Sequence, residues 1–361
     1  MTSINALRFD DYSGIMICDE QRHWNDDRMK IFGADKIRPV VTDEIIEKYG
    51  IVAAYGNTGT SSIGDELRFK IRQKIYDLYK KRVELEGGPP EKFLTIPEIA
   101  SLVFNLITEV KHDHVNENLK NSLGFTTDDF IQGEYKKDES EYKIKSRDII
   151  DKAIKEMAGS IGTDQSGPVF GNAGILGGYD PEGGFQIYLF SMRHCFYEPV
   201  PSGFIAQGSG SDMTNVSFSR FFNNLTTIER KGDINRVEGL IIAIDAVNQA
   251  SFNNIGVGGY FNIFLFNGKK SNNERLIEIN DHRSRFTSEM IQAYRYGFVT
   301  ESKIRELVEG IFYDGNDLEW GSKLIWESVK NKTGLHRFLR GYPREVWGED
   351  REKGRLIPLN F

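Results

Sequence analysis

The chain has 361 residues, a formal net charge of −7 and 39% hydrophobic residues. This apolar content is enough for a globular core, and the length suits one large domain with additions. The acidic balance, without a block of Lys or Arg, argues against nucleic acid as a partner. No apolar run has the length of a membrane span or the pattern of a signal peptide, so we expect a cytoplasmic protein that does not bind a membrane.

The first sixty residues predict a series of strands. Alternating apolar and polar side chains predict a half-buried strand over 4–9, and a turn separates it from a second strand over 14–18. A third apolar run over 37–41 follows Lys36, and a buried strand over 50–56 runs into a glycine turn. The chain has two cysteines, Cys18 and Cys195. Both lie in apolar runs, which predicts buried thiols in a reducing compartment.

Two amphipathic helices are predicted next. The first follows a turn rich in glycine and hydroxyl residues and carries one apolar face, formed by Ile63, Leu67, Ile71, Ile75 and Leu78. The second runs from Ile96 or Pro97 through Val110. A polar, charge-rich stretch over 111–167 then departs from the pattern, with one helix candidate over 149–157.

A histidine pair, His112 and His114, lies inside this charged stretch. Alternating histidines in a strand can bind a metal ion, but no further ligand pair is close in sequence. We therefore expect a solvated pair and no metal site.

The apolar pattern resumes at Val169. It predicts a hairpin whose strands, 174–180 and 185–191, flank an Asp-Pro-Glu-Gly-Gly turn. A strand ending near Gln207 then leads into Gly208-Ser209-Gly210-Ser211, and a helix over 234–253 leads through a glycine-rich loop into a strand over 260–266.

Beyond Asp281 the pattern predicts a partly helical C-terminal extension. Amphipathic helices are expected over 288–296, 302–312 and 318–329. In the tail, 336–355, arginines alternate with aromatic residues, a mixture that can bind nucleic acid. Acidic residues dilute this mixture, so we expect the tail to pack on the body or on a neighbouring subunit.

The order and spacing of these features resemble the proteasome β-type subunits of the N-terminal nucleophile (Ntn) hydrolases, over roughly 2–110 and 168–268. The resemblance implies an α+β fold, a four-layer αββα sandwich. The segments 111–167 and 281–361 would be an insertion and an extension outside that core. It also implies a homo-oligomer, with an ATPase or an adaptor as a further partner, and no cofactor.

The family pattern assigns catalytic roles to Thr2, Glu20, Lys36, Gly56 and Ser209. Removal of Met1 would give Thr2 a free α-amine with an unperturbed pKa of about 8, which can act as its own base. A nearby lysine lowers the effective pKa of the nucleophile, and a carboxylate holds that lysine in place. Glu20 stands where the family usually has Asp, and Asp19 is the alternative.

Supporting roles fall to Asp19, Arg22, Ser211 and Asn254. Gly56 would donate its N–H to the developing oxyanion, although a glycine there also serves backbone geometry alone. In the same way, the first serine of the Gly-Ser-Gly-Ser turn, Ser209, would contact the Thr2 amine.

The sequence departs from the family at two positions. Asn254 and Val257 replace an Asp and a Ser that support the threonine amine, so a charge and a hydroxyl are lost. Two hypotheses follow. The first is a threonine peptidase or amidohydrolase, or a transpeptidase using the same Thr2 chemistry. The second is a catalytically inactive proteasome-like scaffold.

Overall fold

The computed structural model describes residues 2–24, 29–31, 35–137, 140–157, 170–226, 233–254, 257–259, 261–339, 349–350 and 355–356. Residues 22–24, 29–31, 349–350 and 355–356 are described by their backbone alone.

Two five-stranded antiparallel sheets dominate the described part of the chain. The first has the order β12 (Phe204–Gln207), β1 (Ile4–Arg8), β2 (Ser13–Asp19), β13 (Phe261–Asn267) and β14 (Leu276–Ile279). The second has the order β11 (Phe196–Pro199), β10 (Gly184–Ser191), β9 (Ala173–Asp180), β6 (Val52–Thr58) and β5 (Ile37–Pro39). Short hairpins are β3 (Arg22–Trp24) with β4 (Met29–Ile31), β7 (Glu134–Lys137) with β8 (Ser140–Lys143), and β15 (Glu349–Asp350) with β16 (Arg355–Leu356).

The helices fall into two groups along the chain. The first comprises α1 (Asp43–Tyr49), α2 (Ser61–Glu86), α3 (Ile96–Leu123), α4 (Thr127–Gln132) and α5 (Arg147–Met157). The second comprises α6 (Ser211–Asn224), α7 (Arg236–Asn253), α8 (His282–Arg295), α9 (Glu301–Phe312), α10 (Leu318–Ser328) and α11 (Lys332–Leu339). A short 3₁₀ turn covers Asn272–Glu274. Within the described residues, no helix is both long enough and apolar enough to cross a membrane.

Strand alternation divides the buried side chains among separate clusters. On β2, Met16 and Cys18 belong to a cluster that both sheets share, whereas Ile15 and Ile17 pack with helices on the opposite face. Successive side chains of a strand point to opposite faces, so both faces of this strand are covered. Because both faces are buried, every residue of β2 from Ile15 to Cys18 is apolar, and this apolar run is the pattern that predicted the strand.

Each sheet has helices packed on one of its faces. Helices α2 and α3 pack on the second sheet, with Ile71 and Val103 in one buried cluster with Tyr55 of β6. Helices α6, α7 and α8 pack on the first sheet, where Leu240 of α7 and Phe286 of α8 join Ile17 of β2, and α9 to α11 add side chains to the same cluster. Because α8 to α11 share this cluster with β2 and β13, the described C-terminal helices are part of the main core.

The central elements predicted from the sequence are present, and the structure differs from the prediction at several positions. Helix α3 continues to Leu123, so 111–123 extends the second helix. His112 and His114 lie on α3, where residues two positions apart do not share a face, so the alternating strand arrangement considered for a metal ion does not arise at this pair. Cys195 was expected to be buried, but it is exposed and has a φ of 49° in the turn before β11.

The start of the C-terminal tail, within α11, packs on the body, which is one of the two arrangements expected from the sequence. On α11, Leu335 and Leu339 are buried, and the Phe338 ring lies against Tyr296 and Phe298. Residues 340–348 lie outside the described part of the chain.

Candidate active site

A buried ion pair joins the end of β2 to the residue before β5. Lys36 Nζ donates to Asp19 Oδ1 at 2.7 Å, and the two side chains are 4% and 0% exposed. Buried charges are costly unless they are paired and hydrogen-bonded. The pairing fixes the lysine, and it decides between the two carboxylates that the sequence left open. Asp19, not Glu20, bonds Lys36.

The same carboxylate ties two other segments to the lysine. Asp19 Oδ1 accepts from the Ser3 N–H at 2.8 Å, and Oδ2 accepts from the Gly258 N–H at 3.1 Å. Hydrogen bonds to an ionised acceptor are stronger than neutral ones. Asp19 therefore holds the residue after Thr2, the lysine and the loop after α7 in one cluster.

Thr2 lies at the opening of this cluster, and its backbone is held at both ends. Its N–H donates to Ser209 Oγ at 3.1 Å, and its carbonyl accepts from the Gly210 N–H at 3.4 Å. Thr2 is half-buried and Ser209 is exposed, so this end of the site is open to solvent. The structure brings together Thr2 and Ser209, as the sequence predicted.

The turn that carries Ser209 depends on Gly208. Gly208 has a φ of +102°, and a Cβ at this position would collide with the Thr2 carbonyl. Only a residue without a side chain fits this approach at low cost. Asn254 holds the same turn from the other side, since its Nδ2 donates to the Ser209 carbonyl at 2.9 Å.

Gly56 lies in the interior of β6, opposite Ile37, which follows Lys36. A Cβ on Gly56 would come within 2.7 Å of Ile37 Cγ1 and 3.2 Å of the Lys36 carbonyl. Close packing thus requires glycine here. This requirement agrees with a purely structural role for Gly56. The role of its N–H in binding the oxyanion stays a prediction.

The remaining candidates have weaker links to the cluster. Ser211 begins α6, where its N–H bonds the Gly208 carbonyl at 3.0 Å. The Arg22 side chain lies outside the described residues. Val257 is buried, and its N–H bonds the Asn254 carbonyl at 3.0 Å, so it closes the loop that presents Gly258.

The thiol of Cys18, the residue before Asp19, has a pKa that is shifted by burial and by the charges around the ion pair. Burial raises the pKa of its thiol to about 12, although the positive charges of Lys36 and Arg68 lower it. The thiol is therefore neutral at physiological pH. Among the described residues, no group of three or more His, Cys, Asp or Glu side chains is arranged to hold a metal ion.

Sequence reasoning missed two parts of this site. Gly258 donates to Asp19, and its carbonyl accepts from the Gln21 N–H at 3.1 Å. Arg68 of α2 bonds the Lys36 carbonyl at 3.2 Å. The only sequence signal for Arg68 is its place beside Leu67 on the apolar face of an amphipathic helix.

No protein-family model matches the sequence, and no curated protein matches it. Among solved structures, the chain is similar to Anbu (ancestral beta-subunit) from Yersinia bercovieri, with a TM-score of 0.50 and 11% sequence identity. The match covers 82% of this chain and 94% of the Anbu chain. At this identity the likeness concerns the fold alone. The chain has a mixed α and β, proteasome-like fold.

Proposed function

We propose that this protein is a proteasome-like N-terminal threonine hydrolase that cleaves peptide or amide bonds, with Thr2 as nucleophile after removal of Met1. One observation carries the proposal above all others. A buried lysine–carboxylate pair is bonded, through Asp19, to the backbone of Ser3, next to the threonine.

In the proposed reaction, Thr2 Oγ1 attacks the amide carbonyl while the Thr2 α-amine takes the hydroxyl proton. The C–N bond then breaks, and the amine returns the proton to the leaving nitrogen. Water next attacks the ester and regenerates the hydroxyl. Lys36 stabilises the nucleophile through its positive charge, and the Gly56 N–H is proposed to bind the oxyanion.

The Ser209 hydroxyl supports the amine in this scheme. It lies 3.1 Å from the Thr2 nitrogen and keeps that nitrogen oriented toward the site. Asn254 supports Ser209 through the bond to its carbonyl, in place of a direct charge. In this way a chain with Asn254 in place of an aspartate would keep Ser209 in contact with the Thr2 nitrogen.

We also propose that the sheets and helices form a four-layer αββα sandwich. In such a sandwich, the cluster shared by both sheets would lie between the two sheets. The other two clusters would each lie between a sheet and its helices. In this arrangement, Thr2 lies at one end of the first sheet. Assembly into a homo-oligomer, with an ATPase or an adaptor, belongs to the same proposal.

A second candidate function is a catalytically inactive scaffold with this fold. Val257 favours it, because this residue stands where the family has a serine that supports the threonine amine, and valine offers no hydroxyl. Retained Met1 would also favour it, since Thr2 would then have an amide nitrogen in place of an amine.

The experiment that separates these functions is covalent labelling with a threonine-directed epoxyketone or β-lactone. The hydrolase forms one adduct per chain, and Thr2→Ala abolishes it. The scaffold forms none. A transpeptidase forms the same adduct but transfers the acyl group to an added amine, so product analysis with a peptide substrate distinguishes the two enzymes.

A further inference from the structure

Arg68 is a buried arginine of α2 that the proposed reaction does not use. Only 4% of the residue is exposed. Its guanidinium donates to the Lys36 carbonyl at 3.2 Å, and it also bonds Asn57 Oδ1 and Asp65 Oδ1. The helix thus reaches into the region behind the candidate active site.

Two of these acceptors belong to the segments that carry Lys36 and Gly56. Asn57 directly follows Gly56 on β6, and Ile37, which follows Lys36, lies opposite Gly56 in the antiparallel register. One planar guanidinium therefore bonds both segments at the point where the lysine and the glycine are neighbours. A bond of this kind fixes their spacing.

Asn57 is held closely against the same helix. The residue is 6% exposed, and a Cβ on Gly64 of α2 would collide with its side-chain amide. The helix approaches β6 here only because position 64 has no side chain. Arg68 and Gly64 together hold the Asn57 side chain in place.

The charge of Arg68 is costly at this position, which argues against a purely packing role. The Arg68 side chain is buried, but its ion-pair partner Asp65 is 47% exposed, so the pair is not buried as a unit. The Lys36 side chain, which carries a charge of the same sign, is also buried. Replacing a buried ion pair by apolar side chains is often neutral or stabilising. A side chain needed only to attach the helix to the sheet would not require a guanidinium.

We propose that Arg68 is a positioning residue that sets the spacing between Lys36 and the Gly56 amide through its bonds to the Lys36 carbonyl and Asn57. This inference rests on the proposed function and specifies how its site is held. Arg68 does not touch the reacting atoms. It acts through the two segments that carry them.

The test measures the rate constant of covalent labelling, kinact, and the reversible affinity, KI, for the epoxyketone in the full chain. The variants are Arg68→Met, which removes the charge and the bonds, and Arg68→Lys, which keeps the charge but loses the planar fork. Arg72→Met is the matched control, because exposed Arg72 lies one turn further along α2 and bonds the Pro39 carbonyl at 3.3 Å.

We expect kinact to fall by about tenfold to a hundredfold in both Arg68 variants, because a small misplacement of reacting groups has such an effect. We expect KI to stay constant, and Arg72→Met to behave as the wild type. Wild-type kinact in Arg68→Lys would overturn the inference, since the two-segment bond would then be unnecessary. A change in KI alone would also overturn it. If Arg68→Met fails to fold, Arg68→Lys carries the test.

Hydrogen exchange of the amides over 35–38 and 54–58 provides a readout that does not depend on labelling. We expect faster exchange in both segments of the Arg68 variants and no change in Arg72→Met. If the wild type forms no adduct, the proposed function fails, and exchange alone decides the role of Arg68. Unchanged exchange would overturn it.

Discussion

Lys36 and Asp19 form a buried ion pair with 2.7 Å between Nζ and Oδ1, and the same Oδ1 accepts from the Ser3 N–H. The pair connects a cation from the start of β5 with the residue that follows Thr2. Neither partner contributes to the hydrophobic core, and both are costly to bury. This buried pair, beside the residue that follows Thr2, is the main observation in support of the proposed threonine chemistry.

The first prediction concerns which carboxylate holds the lysine. Asp19→Asn should lower kinact by about a hundredfold, the usual effect of losing one electrostatic contribution at an active site. It should also lower the free energy of unfolding by about 3–5 kcal/mol, because the Lys36 charge stays buried without its partner. Denaturant unfolding and labelling kinetics measure the two effects.

Glu20→Gln tests the alternative carboxylate in parallel. Since Asp19 makes the bond to Lys36, this variant should keep the kinact of the wild type. A large loss in Glu20→Gln combined with wild-type behaviour of Asp19→Asn would contradict the assignment.

The second prediction concerns the hydroxyl that faces the Thr2 nitrogen. Ser209→Ala should lower kinact by about tenfold, the effect of losing roughly one hydrogen bond of 1.4 kcal/mol. The melting temperature should change little, because Ser209 is exposed. Ser217→Ala is the control, since that exposed hydroxyl bonds the Met213 carbonyl on α6, at 3.0 Å, without a link to Thr2. Equal rates in the two variants would remove Ser209 from the site.

The third prediction separates backbone strain from contact with Thr2. Gly87→Ala and Gly208→Ala both place a side chain at positive φ, at +70° and +102°. A Cβ on Gly87 would meet no other atom within 4 Å, so its variant should lose only the backbone contribution, about 1–2 kcal/mol.

Gly208→Ala should lose more stability than Gly87→Ala and should also lose labelling, because its Cβ collides with the Thr2 carbonyl. Thermal unfolding and adduct formation measure the difference. Equal stability losses and full labelling in both variants would mean that the turn does not touch Thr2.

The fourth prediction concerns the two cysteines. Exposed Cys195 should react with iodoacetamide in the folded protein. Cys18 should react only after unfolding, because burial raises its pKa to about 12 and removes the thiolate at neutral pH. Peptide mapping of the labelled protein, with and without denaturant, assigns each site. Rapid native labelling of Cys18 would contradict the packing between the sheets.

Sequence periodicity predicted the parts of the fold that have strong apolar patterns. Strands β1, β2, β6, β9, β10 and β13 and helices α2, α3 and α7 all begin within a few residues of their predicted positions. Helix α6 gave no such signal, because its buried side chains, Thr214 and Phe218, are too few to define an apolar face. The end of α3 was also missed, since its last turns are charged and only Val115 and Leu119 are buried.

Several candidate residues were identified through the resemblance to proteasome β-type subunits. Thr2, Lys36 and Ser209 are among them, and the structure brings them around the Asp19 cluster. The choice between Asp19 and Glu20 depended on strand register, which directs alternate side chains to opposite faces. Arg68 was missed because its place on the apolar face of α2 does not show which groups of the sheet its guanidinium bonds.

The central claim is that Thr2 is a working nucleophile with a free amine. The most direct test is the intact mass of the protein purified from its own cells, before and after treatment with the epoxyketone. We expect a mass lower by one methionine than that of the encoded chain, a single adduct, and no adduct in Thr2→Ala. A retained Met1 with no adduct would contradict the hydrolase and leave the scaffold.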